Sequence, residues 1–401
     1  MCLLTTIIKS KERRCFNIES YQCPICGNTN IRYIGTRNGK PYCRKCLTFR
    51  GQEANSNFFI NTNAEYSLSY QLTDDQLRLS HKLVENFKKG KDSLVQAVCG
   101  SGKTEIVLEV IKYAISNRMK VGFAVPRRDV IKELHQRFKS IFANNRVGVV
   151  YGGHTSRLNA DLICITTHQL FRYKNYFDLL IVDEVDAFPY DGNDVLEAFL
   201  KYAVRGQLIM MSATPPKNVI EEFSKEGKDI LRLDTRFHSH PLPVPRLEIH
   251  RGLMKYFYLV RELRAFLAKN KPVFVFAPTI DICEQTYEVL KIFFPNINYV
   301  HSKKEDRSEV IEAFRNKKYK VLVTTAVLER GVTVKDLQVI IFQADHAIYS
   351  SQALIQISGR VGRKKDAPNG DVIFIADKKT NEMEICINEI KRANSNLQAL
   401  F

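Results

Sequence analysis

From residue 72 to about 235, short apolar runs alternate with helical patterns, and this alternation limits the fold more than any other feature of the chain. The runs are Leu94–Val98, Val121–Val125, Val147–Tyr151, Leu162–Thr166, Leu179–Val182 and Leu208–Met211. Runs this short and this apolar suit strands of a sheet buried on both faces. Between them lie helical stretches. Thr104–Asn117 puts Ile106, Val107, Val110, Ile111, Ala114 and Ile115 on one face, and Arg128–Phe142 does the same with Ile131, Leu134, Phe138 and Ile141. Strand and helix in alternation imply parallel strands joined by right-handed crossovers. Residues 236–250 interrupt the pattern with Pro241, Pro243 and Pro245, which disfavour both helix and central strand, so the stretch reads as an extended linker. A second series follows in Val273–Ala277, Ile297–Val300, Val321–Thr324, Val339–Gln343 and Val372–Ile375. The expected organisation is an α/β chain of two lobes with mostly parallel sheets. A small N-terminal unit occupies residues 1–60, the first lobe 61–235, the linker 236–250 and the second lobe 251–401.

The segment Leu94-Val-Gln-Ala-Val-Cys-Gly-Ser-Gly-Lys-Thr104 reads as a strand, a glycine-containing loop and a helix start. Gly100 and Gly102 permit a tight turn and close backbone approach to an anion. The loop N–H groups around Ser101 and the helix N-terminus favour phosphate. Lys103 is then placed to reach the β/γ-phosphates of ATP, and Thr104 to hold Mg²⁺. Leu179-Leu-Ile-Val-Asp-Glu-Val-Asp186 is an apolar strand ending in acids. Carboxylates at that edge of an α/β sheet lie beside the ligand crevice. There Asp183 suits Mg²⁺ and Glu184 suits orienting an attacking water.

Cys23-Pro-Ile-Cys26 and Cys43-Arg-Lys-Cys46 are separated by sixteen residues, inside the spacing of a Cys₄ zinc site. Four thiolates leave no open coordination position, so the Zn²⁺ expected there is structural. Gly27 stands where a tight turn should follow the first pair. A unit this small lacks a sufficient core, so metal should drive its folding. Cys2, Cys15, Cys99, Cys164, Cys283 and Cys386 read as ordinary free thiols. The scatter of those six, and the absence of a recognisable secretory signal, point to a reducing cytoplasm. No run approaches the length of a membrane-spanning helix.

The net charge of +17, with a pI near 9.3, points to a polyanionic partner. Residues 1–50 carry ten Lys or Arg against two acids, concentrating charge in the N-terminal unit.

Over roughly residues 70–401 the chain resembles the superfamily 2 helicases of DEAD/DEAH type, which implies two RecA-like P-loop lobes. Ala97 takes the place of the first glycine of the general phosphate-loop pattern, as is common in that superfamily. Asp183-Glu-Val-Asp186 resembles their second motif. Ser212-Ala-Thr-Pro215 resembles the motif that couples hydrolysis to lobe movement, which implies coupling roles for Ser212 and Thr214, and the resemblance extends that role to Gln356. Gln356-Ile-Ser-Gly-Arg-Val-Gly-Arg363 resembles their sixth motif, which implies that Arg360 and Arg363 are arginine fingers. Leu72-Thr-Asp-Asp-Gln76 resembles an adenine-reading motif, with Gln76 on the adenine; a helix N-cap at Thr73 explains the same residues. Pro126-Arg-Arg128, Thr166 with Thr167, His301-Ser-Lys-Lys304 and Thr324-Thr-Ala-Val-Leu-Glu-Arg-Gly331 resemble loops that follow phosphates. The resemblance so implies nucleic-acid contacts from Arg127, Arg128, Thr166, Thr167, Ser302 and Thr325. Thr333 departs from the Asp of the RNA-unwinding DEAD-box branch.

With its N-terminal Cys₄ unit, basic head and two-lobed motor, nearly the whole chain resembles one family, the late-competence DNA translocases ComFA. That resemblance implies an ATPase stimulated by single-stranded DNA. It also implies a place at the inner face of the membrane beside a DNA-uptake channel, and a small ComFC-like competence partner. Primosomal helicases of the PriA type share the motor motifs but carry an eight-cysteine region between their lobes, and residues 236–250 contain no cysteine. A non-catalytic zinc-containing DNA-binding protein would have no need of Lys103, Asp183, Glu184, Arg360 and Arg363 together. ATP turnover with and without DNA separates these readings.

Overall fold

The computed structural model describes residues 21–98, 100–186, 192–236, 240–328 and 334–398. Backbone contacts divide the chain into two compact units. One comprises Met1–Glu65, Ala114–Asp183 and Ala187–Leu208, and the other Tyr66–Tyr113, Glu184–Asp186 and Ile209–Phe401.

The N-terminal unit is built on a hairpin. β1 (Ile34–Arg37) pairs antiparallel with β2 (Lys40–Cys43). Asn38 and Gly39, at φ 52 and 74, form the two-residue turn. Positive φ at both positions matches the strand twist, and Asn-Gly is the pair that tolerates it best. Residues 49–63 then run along the lobe as a strap. Phe49 packs against Phe171 and Phe199. Arg172 Nη1 donates to Gln52 O at 2.8 Å. Asp161, fully buried, accepts from Asn61 N at 3.0 Å, Arg146 N at 2.8 Å and Arg146 Nη2 at 2.8 Å. One carboxylate therefore fixes the strap to the loop before the strand Leu162–Thr166.

The first α/β region opens with α1 (Asp74–Lys88), β3 (Ser93–Ala97), α2 (Lys103–Ile106) and α3 (Leu108–Ser116). It continues through β4 (Val121–Val125), α4 (Arg128–Ile141), β5 (Val147–Val150), β6 (Leu162–Thr166) and β7 (Phe177–Asp183). α5 (Asp194–Ala203), β8 (Val204–Ser212), α6 (Lys217–Lys225) and β9 (Asp229–Leu233) complete the first sheet, whose order is β5-β6-β4-β7-β8-β3-β9. The single helix expected over Thr104–Asn117 is divided by a turn at Val107, at φ −94 and ψ −4. Adjacent β-branched Ile106 and Val107 weaken helix at that point. β9 escaped the sequence reading because Asp229 and Arg232 interrupt its apolar residues; it pairs parallel with β3 at the sheet edge.

Within the stretch read as linker, Arg246–Ile249 forms a strand, β10, parallel to the last strand of the second sheet. Leu247 and Ile249 alternate with Arg246 and Glu248, a period-2 signal overshadowed by the prolines before it. Phe237, His238 and Ser239 lie outside the described residues. Then come α7 (Met254–Ala268), β11 (Val273–Phe276), α8 (Ile280–Phe293), β12 (Ile297–Val300), α9 (Arg307–Arg315) and β13 (Val321–Thr324). β14 (Gln338–Phe342), α10 (Ser351–Ser358), β15 (Val372–Ala376) and α11 (Asn381–Gln398) end the described chain. The sheet order is β10-β15-β14-β11-β13-β12, and its paired strands are parallel. Alternate residues of the same strands fill two separate cores. Phe274, Phe276, Leu322, Val339, Ile341 and Phe374 lie in one, and Val273, Val275, Val323, Ile340, Phe342 and Ile375 in the other. This is why the runs read as continuously apolar. The chain is thus α/β with two RecA-like lobes, as expected.

Asp161→Ala removes the acceptor of two backbone N–H groups and a guanidinium. It should destabilise the unit carrying the strap by about 3 kcal/mol, read as a lower midpoint in urea unfolding. Asp161→Ala with the parental midpoint would show that the strap contributes nothing.

Candidate nucleotide site and cysteine cluster

β3 ends at Ala97, and Val98 N still reaches Leu233 O at 3.0 Å. Gly100 and Gly102 then take φ 83 and 85, values that strain any residue with a Cβ. Gly102 is the N-cap of α2 and supplies no side-chain hydrogen bond. The first N–H groups of the helix therefore have no side-chain cap, the arrangement that suits an anion. Ser101 Oγ is buried with no hydrogen-bond partner among the described residues, a polar atom that a phosphate oxygen would satisfy. Lys103 and Thr104 open the helix. The loop is braced from α1: Gln76 Nε2 donates to Ser101 O at 2.8 Å, while Gln76 Oε1 accepts from Thr73 N at 2.9 Å. Thr73 Oγ1 accepts from Gln76 N at 3.3 Å, closing a capping box. Gln76 therefore caps its helix and holds the phosphate loop with one side chain.

β7 delivers buried Asp183 at its end, and Glu184 follows at φ 61. A non-glycine residue in the left-handed region is held there at a cost of about 1 kcal/mol or more, and such residues cluster at functional sites. Asp186 comes next. Its Oδ1 accepts from Ser212 Oγ at 2.5 Å, and its Oδ2 from Thr214 Oγ1 at 2.9 Å and Gln356 Nε2 at 3.2 Å. Ser212 Oγ in turn accepts from Thr214 N at 2.9 Å. Three residues grouped in the sequence by resemblance alone thus converge on one carboxylate.

α10 ends at Ser358 and leads into the turn carrying both arginines. Arg360 is buried, and Arg363 Nε donates to Gly359 O at 2.9 Å. Arg236 belongs to this turn although no motif marks it. Its buried guanidinium donates from Nη1 to Val361 O at 2.8 Å and Gly362 O at 2.9 Å, and from Nη2 to Gly359 O at 3.5 Å. The same side chain passes within 3.7 Å of where a Cβ on Gly100 would lie. Its only sequence signal is its place just after a strand, beside the proline-rich stretch.

The residues expected to follow phosphates are spread along the chain. Arg127 caps α4, and Arg128 lies 4.7 Å over the Tyr151 ring, on which His154 also stacks. Tyr151 and His154, flanking Gly152-Gly153, were missed. Thr166 and Thr167 are buried, and Thr167 Oγ1 has no hydrogen-bond partner among the described residues. Ser302 is exposed beyond β12, whereas His301 beside it is buried with Nε2 3.0 Å from Glu284 Oε1. Thr325 follows β13, and Thr324 Oγ1 donates to its carbonyl at 3.1 Å. Glu329, Arg330, Gly331 and Thr333 lie outside the described residues.

The four cysteines come together at the base of the hairpin. Gly27, at φ 65, donates its N–H to Cys23 O at 2.9 Å and turns the first pair back on itself. Cys43 ends β2, and Cys46 O accepts from Phe49 N at 3.0 Å. The four sulfurs lie within 4.8 Å of one another, with Cys23–Cys46 at 3.5 Å and Cys26–Cys43 at 3.6 Å. These separations are far beyond a disulfide bond. They are close to the edge of about 3.8 Å that a tetrahedron with a Zn–S bond of about 2.3 Å requires. Burial pushes the Cys26 thiol up to about 11, so a bound cation is what would hold it as thiolate. The residues therefore fit Zn²⁺. Cys164, Cys283 and Cys386 are free and buried, as expected; Cys2, Cys15 and Cys99 lie outside the described residues.

A model described as type III restriction enzyme, res subunit, matches residues 69–217, and one of the helicase conserved C-terminal domain matches residues 254–365. The solved structure of Saccharomyces cerevisiae Dbp5 bound to RNA and ADP BeF3 is similar in fold. Its TM-score is 0.58 at 16% identity, over 81% of this chain and 92% of that one. Fold, motifs and domain matches define an ATP-hydrolysing nucleic-acid enzyme of the superfamily 2 helicase type, with the ATP and Mg²⁺ that such domains use. Competence protein ComFA of Bacillus subtilis (strain 168) is 33% identical, covering 94% of this chain and 86% of that protein. Its counterpart in Streptococcus pneumoniae (strain ATCC BAA-255 / R6) is 34% identical, covering 93% and 90%. The chain belongs to the ComFA family. Among the described residues no helix is long and apolar enough to cross a membrane.

Metal analysis of protein purified without chelator should give one zinc per chain. Cys23→Ala should abolish it and unfold the hairpin while the two sheets keep their circular dichroism signal. Metal-free parent protein with a native hairpin would refute the site.

Proposed function

We propose that the chain is an ATP-driven translocase on single-stranded DNA that draws transforming DNA into the cytoplasm during competence. It works peripherally at the inner face of the membrane, with an uptake channel and a ComFC-like partner. The observation that carries the motor reading is the Asp186 carboxylate, which gathers Ser212, Thr214 and Gln356. A simple ATPase has no need to tie its acidic loop to distant motifs. The competence role rests on membership of the ComFA family.

In this reading the residues divide the work as follows. Backbone N–H groups from Gly100 to Thr104 and the Ser101 hydroxyl receive phosphate oxygens, and Lys103 neutralises the β/γ-phosphates. Thr104 and Asp183 hold Mg²⁺, which supplies charge neutralisation when bound. Glu184 orients the attacking water. Its oxygen forms a bond to the γ-phosphorus as the bond to the bridging oxygen of ADP breaks, and its proton passes to the carboxylate or to solvent. Arg360 and Arg363 stabilise the charge that spreads over the equatorial oxygens. Gln76, engaged by the phosphate loop and its own helix, positions the loop for a nucleotide whose adenine lies nearby. A strand bound by Arg127, Arg128, Thr166, Thr167, Ser302 and Thr325 favours the hydrolysis-competent conformation by differential binding. Four cysteines around Zn²⁺ form the core of the N-terminal unit (residues 1–60), ahead of lobes at 61–235 and 251–401.

Turnover should be low alone and rise steeply with single-stranded DNA, more than with duplex or RNA. Glu184→Gln should keep ATP binding and lose turnover by about 10²–10⁴-fold, whereas Lys103→Ala should weaken nucleotide binding. Arg363→Ala should lose about 10³-fold of stimulated turnover while still binding DNA. A parental rate indifferent to DNA would contradict the motor.

A further inference from the structure

The β1–β2 hairpin has two unlike faces. Cross-strand partners share a face in an antiparallel pair, and the register pairs Ile34 with Cys43, Gly35 with Tyr42 and Arg37 with Lys40. Ile34 and Cys43 are buried, and Cys43 belongs to the cysteine cluster. Gly35, Tyr42, Arg37 and Lys40 share the opposite face, where Gly35 is covered by the Tyr42 ring and Arg37 and Lys40 are exposed. The ladder continues one pair further through Arg44 N donating to Tyr33 O at 2.6 Å, which adds Tyr33 and Arg44 to that face.

We propose that this outward face is a binding platform for single-stranded polynucleotide. The Tyr42 ring lies across Gly35, where a Cβ would come within 2.6 Å of it, so the missing side chain is what lets the ring lie flat. Tyr33 is 45% exposed and Ile31 beside it 55%. Lys45 Nζ sits 5.9 Å over the Tyr33 ring and is anchored by Asp194 at 3.0 Å. Arg37 and Lys40 stand exposed at the hairpin tip and Arg44 at the other end. Aromatic rings between cations are what a sequence-tolerant strand site uses: the rings stack on bases and the cations follow the backbone.

Charge selects the occupant. Residues 21–52 hold six cations, Arg32, Arg37, Lys40, Arg44, Lys45 and Arg50, and no acid. A zinc tetrathiolate would contribute about −2, leaving the unit strongly positive. The strap fastens the platform to the lobe that carries Arg127 and Arg128, all within one compact unit. This inference rests on the motor reading only in supposing that the enzyme's substrate is a strand.

The test is fluorescence anisotropy with full-length, zinc-loaded protein and a labelled oligothymidylate of about twenty nucleotides, longer than typical strand sites, at two salt levels. The double variant Arg37→Glu with Lys40→Glu should bind at least about tenfold more weakly, and its salt slope should fall by about 1.4, since each phosphate contact on a single strand contributes about 0.7. Tyr33→Ala should cost about tenfold with little change in slope. The charge-keeping pair Arg37→Lys with Lys40→Arg should bind like the parent. ATP turnover without DNA and zinc content should be parental in all of them. Parental affinity and slope in the charge-reversed variant would overturn the proposal, as would equal losses in the charge-keeping pair. A parental ATPase that ignores DNA, beside hairpin-dependent binding, would sink the motor reading and leave this one standing.

Discussion

One carboxylate ties together three separate segments of this molecule. Asp186 follows the strand that delivers Asp183 and the strained Glu184, and it receives Ser212, Thr214 and Gln356 on its two oxygens. Hydrogen bonds to an ionised acceptor are worth about 1.5–3 kcal/mol each, and more is lost when one is left unmade in a buried setting. Three donors on one acid also share a single geometry, so displacing one weakens the rest. The acidic loop, the loop after β8 and helix α10 are thereby fixed to a common point.

The remaining features of the site serve the same end by different means. Gly100 and Gly102 give the phosphate loop a path that other residues could not take, and Gln76 holds it from the capped end of α1. Arg236 gathers three carbonyls of the turn that bears Arg360 and Arg363. A guanidinium suits that task because its planar fork serves several acceptors at once. In the N-terminal unit, a metal on the cysteine cluster would take the place of an apolar core that some thirty residues are too few to build.

Much of this was legible in the sequence, and the failures have physical causes. Strands β4, β6 and β13 fall where their apolar runs predicted, because a strand buried on both faces leaves an uninterrupted signal. β9 and β10 were missed because edge strands carry charges such as Arg232 and Glu248 that break the run. The glycine loop before α2 and the meeting of the four cysteines were legible because residue type and spacing go together there. Arg236 was not, because a side chain that binds backbone carbonyls asks nothing of the sequence at its acceptors. The His154 ring on Tyr151, with Arg128 over the same ring, needed coordinates to be seen because residues 128 and 151 are far apart in the chain. The outward face of the hairpin followed only from its register, since a shift of one residue would have exchanged its two faces.

The central claim is that the Asp186 network makes hydrolysis depend on the bound strand. A double-mutant cycle of Ser212→Ala and Gln356→Ala, read as strand-stimulated ATP turnover, tests it most directly. Both partners act through the same carboxylate, so the double variant should lose little more than the worse single, a coupling of about 1–3 kcal/mol. Independent, additive losses, or stimulation that survives both substitutions, would contradict the account.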